Sequence, residues 1–143
     1  MSRIRSRDTK PELQLRRALH AAGFRYRLHD RSLPGTPDLV LPAKRAVVFV
    51  HGCFWHGHDC ALGVTPGTRT DFWEEKIGRN QARDETAHAA LLAAGWRVLT
   101  VWECAFRGRG RRPIEEVVEQ ASAFLRSDSP QLILRGSHTP AAA

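Results

Sequence analysis

Apolar and polar positions switch between two periods along the chain, and the switches mark its elements. Thr9-Lys10-Pro11-Glu12 has the form of a capping box with proline early in the first turn. Leu13, Leu15, Ala18, Leu19 and Ala22 then recur at about helical spacing, and Gly23 supplies a stop. This predicts a helix over about residues 10–22. Residues 24–28 alternate apolar and basic, as a half-exposed strand does, and residues 29–35 are turn-rich. Residues 38–41 and 45–50 read as two strands around the turn Pro42-Ala43-Lys44. In such an antiparallel hairpin Asp38 and His51 lie side by side and their side chains can meet. Residues 61–69 form a loop. A long helix follows, with Thr70 as its cap, Ile77, Ala87, Leu91 and Leu92 as apolar positions, Lys76, Arg79 and Arg83 as a basic face, and Gly95 as its stop.

Residues 96–102 alternate as a strand and run into Glu103-Cys104. Residues 107–112 read as a flexible cationic loop. Residues 113–125 form an amphipathic helix whose buried stripe is Ile114, Val117, Val118, Ala121, Phe124 and Leu125. Residues 131–134 add an edge strand. The order of elements implies an α/β sandwich around a small mixed sheet. There is no repeat and no linker, so residues 1–143 are expected to be one domain, with a basic arm over 1–8 and a variable, partly disordered tail over 128–143.

Charge narrows the partner. The chain has 22 Lys and Arg and a net charge of +7, so a polyanion is the leading ligand. No long apolar run or secretory signal is visible, so a cytoplasmic location without membrane contact is expected. Cysteine narrows the chemistry. Three cysteines, Cys53, Cys60 and Cys104, are not expected to form disulfides in the cytoplasm, which leaves metal ligation or buried thiols.

Three groupings carry candidate chemistry. Cys53, His58 and Cys60 in one loop, with Cys104 at a strand end, suit tetrahedral zinc, and His51 and His56 compete with His58 as the imidazole ligand. Asp38, with His51 and His56 nearby, suits a Mg²⁺ anchor beside a water-activating histidine; alone, an aspartate after proline reads as a turn cap. Phe54-Trp55 and Phe72-Trp73 place large aromatics beside basic residues. Trp55 suits stacking on or wedging between bases, whereas Phe72, Trp96 and Trp102 read better as core.

Together these residues resemble one family. The blocks Leu33-Pro34-Gly35-Thr36-Pro37-Asp38, His51-Gly52-Cys53-Phe54-Trp55-His56, Thr68-Arg69-Thr70-Asp71-Phe72-Trp73-Glu74-Glu75-Lys76-Ile77 and Gly95-Trp96-Arg97-Val98-Leu99-Thr100-Val101-Trp102-Glu103-Cys104 are similar, in order and spacing, to the very short patch repair (Vsr) DNA mismatch endonucleases. The resemblance runs from residue 2 to residue 108. It implies a restriction-endonuclease-like three-layer sandwich, a small mixed β-sheet flanked by helices, with the strand Phe49-Val50-His51 replacing the second acid and lysine of the wider nuclease class. It also implies a structural zinc and Mg²⁺-dependent nicking of double-stranded DNA, 5′ to the mismatched thymine of a T·G pair left by deaminated 5-methylcytosine.

The same resemblance implies roles. Asp38 and the backbone carbonyl of Val50 would hold Mg²⁺, His56 would activate water, His51 would lie against the scissile phosphate, Glu12 would reach the water shell of the ion, and Asp84 would orient a histidine. Cys53, His58, Cys60 and Cys104 would hold zinc. Phe54, Trp55 and Trp73 would wedge into the duplex, and Arg3, Arg5, Arg7, Lys76 and Arg107 would contact DNA. A nucleoid-associated monomer is expected, with mismatch-repair proteins as candidate partners. Two other readings stay open: a nicking enzyme with broader mismatch or sequence specificity, and a zinc-stabilised sensor of DNA distortion that cleaves weakly.

Overall fold

The structure is a computed structural model that describes residues 9–63 and 66–137. The predicted arm over 1–8 and the end of the tail, residues 138–143, lie outside the described residues. Helix α1 (Lys10–Ala21) begins as its sequence predicts: Thr9 Oγ1 accepts the Glu12 N–H at 3.4 Å, and Leu15 and Leu19 are buried. The strand expected over residues 24–28 shrinks to β1 (Arg27–Leu28). Its first residues serve the helix instead of the sheet. Phe24 is buried in the core, the Arg25 guanidinium donates to the carbonyls of His20 and Phe24, and the Tyr26 hydroxyl donates to the Arg16 carbonyl at 2.7 Å.

Strand β2 (Leu39–Leu41) pairs antiparallel with β3 (Ala46–His51), Leu39 opposite Val48. The Pro42–Lys44 turn between them closes on Arg45 in the left-handed region, φ 52°. Helix α2 (Thr70–Ala93) carries the chain to β4 (Arg97–Trp102), and α3 (Ile114–Arg126) carries it to β5 (Gln131–Leu134). The sheet order is β1-β2-β3-β4-β5, with the last three strands parallel. Leu39, Leu41, Val48, Leu99 and Val101 face α1 and α3, where Val117, Ala121, Phe124 and Leu125 close the core. Val40, Val47, Phe49 and Val98 face the other way, onto Leu91 of α2. A sheet covered on both faces explains the near-continuous apolar runs of β2 and β3. The result is the expected mixed sheet between helical layers.

Two local expectations change. Thr70 is the first helical residue of α2 and not its cap; its hydroxyl donates back to the carbonyls of Pro66 and Gly67, and Arg69 at φ 57° takes the cap position. The 107–112 segment is tied down. Arg107 pairs with Glu103 at 2.9 Å, the Arg112 N–H donates to Ala105 O, and Arg112 Nε donates to Arg135 O at 2.6 Å. Among the described residues no helix is long and apolar enough to cross a membrane.

Leu99 is fully buried between α1 and α3. Leu99→Ala is expected to lower unfolding stability by about 2–5 kcal/mol, measured by urea denaturation; a change below about 1 kcal/mol would mean this face is not the main core.

Candidate functional site

The β3–α2 loop leaves the sheet at His51 and returns its side chains to the end of β4. Cys53, Cys60 and Cys104 are buried, and His58 places Nδ1 3.5 Å from Cys53 Sγ and 3.6 Å from Cys104 Sγ. The four donor atoms all lie within 4.8 Å of one another. Ligands of a tetrahedral ion with bonds of about 2.0–2.3 Å sit about 3.3–3.8 Å apart, so this donor set fits a metal ion. The geometry selects His58 over His51 and His56. Cys53 and Cys104 do not share charge evenly. Cys53 is pushed up, first by its hydrogen bond with Cys104 and then by burial. Cys104 is pulled down to about 5 by the Cys53 hydrogen bond, with further help from the Gly136 N–H. Trp102 stacks on the His58 ring at 4.0 Å and 8°.

The loop is braced from outside. Glu103 Oε1 accepts the Cys53 N–H at 3.1 Å, Asp59 pairs with Arg135 at 2.6 Å, and Asn80 and Gln81 of α2 donate to the carbonyls of Trp55 and Gly57. Gly57 is at φ +63°, and a Cβ there would strike Ile77 and Gln81. A Cβ on Gly63 would collide with the His58 carbonyl oxygen.

Next to this cluster, His56 stacks on His51 with centroids 3.9 Å apart and rings 3° from parallel. His56 Nδ1 meets Asp84 Oδ2 at 2.5 Å. Burial raises the Asp84 pKa, but the His56 hydrogen bond and the surrounding imidazoles outweigh it, so Asp84 is held below the usual carboxylate range. An ionised carboxylate only accepts, so His56 donates from Nδ1, which places the lone pair of the neutral ring on Nε2. His51 is 5% exposed, and burial with the adjacent His56 lowers its pKa to about 3, so it is neutral at physiological pH. Nδ1 of His51 and Nε2 of His88 are buried with no hydrogen-bond partner among the described residues. A cleft of about 450 Å³ opens beside these rings, lined also by Asp84, Thr100 and Ile133.

A second polar cluster sits where β2 begins. Asp38 Oδ2 accepts the Val50 N–H at 2.7 Å, so the hairpin register brings Asp38 to the backbone beside His51. His29 Nε2 lies 2.8 Å from Glu12 Oε2 and 3.9 Å from Asp38 Oδ1, and Arg16 pairs with Glu12 at 2.9 Å. Glu12, His29 and Asp38 form another compact set of donors able to hold a cation.

The aromatics gather on one side. Phe54, Trp55 and Trp73 meet edge to face at 5.0–5.6 Å, and all three are half-buried. Lys76 Nζ lies 5.9 Å over Trp55. Phe72 is 43% exposed under the Arg69 guanidinium at 4.3 Å, which removes it from the core where its sequence placed it. Trp96 and Trp102 are both half-buried, Trp96 against the Val40–Leu91 core and Trp102 against the buried cysteines and the His58 ring. Arg3, Arg5 and Arg7 lie outside the described residues.

Sequence comparison decides what this arrangement belongs to. The family described as DNA mismatch endonuclease Vsr matches residues 1–62. The DNA mismatch endonuclease Vsr of Escherichia coli K12 is 45% identical over 140 residues, 96% of this chain and 90% of that protein. The chain belongs to the Vsr DNA mismatch endonuclease family. The type II nicking enzyme V.XorIIP of Xanthomonas oryzae pv. oryzae is 55% identical over 104 residues, 73% of this chain and 76% of the relative. The nicking enzyme V.NmeAIP of Neisseria meningitidis serogroup A is 46% identical over 109 residues, 76% of this chain and 78% of the relative.

Three residues of this Vsr family member emerge only from the fold. His29 sits in a turn-rich stretch with no motif to mark it. Glu103 reads as a strand end, and His88 as one more polar position on a helix. The one available signal for Glu103 was its place next to Cys104. Gly63→Ala is expected to disturb the Cys/His loop and weaken metal retention by about tenfold or more, measured by chelator competition on purified protein; unchanged retention would show that the loop has room the structure denies it.

Proposed function

We propose that this chain, a DNA endonuclease by its family, nicks double-stranded DNA 5′ to the mismatched thymine of a T·G pair and so starts very short patch repair. The observation that carries the reading is the end of β3, where Asp38 accepts the Val50 N–H and the next residue, His51, stacks on His56 of the His56–Asp84 dyad, next to a half-exposed aromatic group. Zinc is the ion assigned to Cys53, His58, Cys60 and Cys104, and Mg²⁺ the ion assigned to Asp38 and the Val50 carbonyl. When bound, Mg²⁺ supplies Lewis-acid polarisation of a phosphoryl oxygen.

The protein groups do the rest. His56 Nε2 takes the proton of the attacking water, and Asp84 stabilises the imidazolium that forms. Neutral His51 holds the His56 ring in its plane and lies against the scissile phosphate. Glu12 orients water at the same cluster. Phe54, Trp55 and Trp73 insert beside the mismatch, which a wobble pair resists less than a matched one. Lys76, Arg107 and the arm residues Arg3, Arg5 and Arg7 supply salt-dependent phosphate contact. We assign the sandwich to the restriction-endonuclease-like class, and the protein to a nucleoid-associated cytoplasmic monomer that works beside mismatch-repair proteins. The similarity to type II nicking enzymes supports one second reading, a nicking endonuclease with a broader mismatch range or another sequence context.

The test is a cleavage panel at one salt concentration, with T·G, other mismatches and matched duplexes in varied sequence contexts. Selective nicking of T·G with Mg²⁺ is expected, with losses of about 10²-fold or more in Asp38→Asn and His56→Ala. Absence of nicking in every T·G context, or undiminished activity in either variant, overturns the assignment.

A further inference from the structure

His29 is placed with more care than a turn residue needs. Its backbone is in the left-handed region at φ 48°, and its N–H donates to the Asp38 carbonyl at 3.1 Å, which locks the two residues together. Its ring then reaches inward, with Nε2 2.8 Å from Glu12 Oε2 and 3.9 Å from Asp38 Oδ1. Ligands adjacent on an octahedral ion, with bonds of about 2.0–2.2 Å, sit about 3 Å apart, so the three atoms can close on one ion after small rotamer shifts. The carboxylates are well buried, Glu12 at 1% and Asp38 at 9% exposure, and Glu12, His29 and Asp38 come from α1, the turn after β1 and the residue before β2.

We infer that His29 Nε2 is a direct ligand of the catalytic cation beside Asp38, with Glu12 at the water shell of the ion, and that this imidazole makes the site prefer Mn²⁺ or Co²⁺ over Mg²⁺. The inference rests on the reading of Asp38 as the anchor of that ion. The chemistry follows from ligand type. Carboxylate, carbonyl and water oxygens serve Mg²⁺ well, whereas an imidazole nitrogen adds little for a hard ion and more for a first-row transition ion. Mg²⁺ can still use the oxygens, at lower affinity. Arg16, at 2.9 Å from Glu12, limits how far that carboxylate swings toward the ion and so keeps His29 in the set. Glu12 is therefore assigned a place facing the ion, in addition to its position at the start of α1.

The test uses the full chain with its zinc in place. Mn²⁺ is titrated and followed by electron paramagnetic resonance, with Mg²⁺ as competitor, and the bound Mn²⁺ is probed by electron spin-echo spectroscopy for a directly coordinated imidazole nitrogen. The wild-type protein is expected to show that nitrogen coupling. His29→Gln, which keeps a polar side chain, and His29→Asn, which also tolerates the left-handed backbone, are expected to lose it. Both should bind Mn²⁺ about tenfold more weakly, with Mg²⁺ affinity changed less than about threefold. No nitrogen coupling in the wild-type protein overturns the proposal without any variant. So does equal weakening of both ions in the two variants. Asp38→Asn separates the two levels. If it abolishes Mn²⁺ binding while the wild-type protein shows no nitrogen coupling, only the His29 assignment falls. If it leaves Mn²⁺ bound, the Asp38 anchor falls with it.

Discussion

Cys53, His58 and Cys60 belong to one loop, and Cys104 belongs to the end of β4 on which that loop folds back. Three thiols this close cannot all ionise without help, because neighbouring thiolates repel and burial opposes each charge. The uneven charge between Cys53 and Cys104 is what that conflict looks like among protein groups alone. A divalent ion resolves it and turns three mutually repelling thiolates and an imidazole into one closed cross-link between residues far apart in sequence. Much of what lies around the cluster depends on that closure.

The dependence is geometric. His56 and Trp55 lie between the ligands Cys53 and His58, so fixing the ligands fixes both. The loop's other polar supports are hydrogen bonds with Glu103, Asn80 and Gln81 and the Asp59–Arg135 ion pair. His56 must still meet Asp84 on α2 and stack on His51 at the end of β3, which ties the loop to a helix and a strand at once. The aromatic group of Phe54, Trp55 and Trp73 spans the same junction. Each edge-to-face pair contributes about 0.5–1.5 kcal/mol, enough to align the rings but not to hold the loop in place alone.

How far the sequence reveals this varies with the physics of each element. The α1 cap, the β2–β3 hairpin, the α3 stripe and the short β5 follow from local signals. The cysteine spacing also marks the metal cluster, because the ligands themselves are the signal. Residues 24–26 fail as a strand because Phe24, Arg25 and Tyr26 bond to α1 or its core, and alternation alone does not reveal which neighbour a side chain will choose. Phe72 was placed in the core because it is large and apolar; in the fold it lies outside the packed face of α2, under Arg69. His29 had no local signature, since its meaning depends on two carboxylates that only tertiary structure brings to it. The choice among His51, His56 and His58 was likewise open until the loop conformation set one ring among the thiols and stacked the other two.

The central claim is that the Cys/His cluster holds the catalytic and aromatic residues of the loop in register with a sheet that is stable without it. Hydrogen–deuterium exchange on the intact protein, before and after removal of the bound metal by a chelator, tests this most directly. Amides over residues 53–60 are expected to exchange much faster after chelation while those of β2, β3 and β4 stay protected. Unchanged protection of the loop would contradict the claim, and so would loss of protection across the whole sheet.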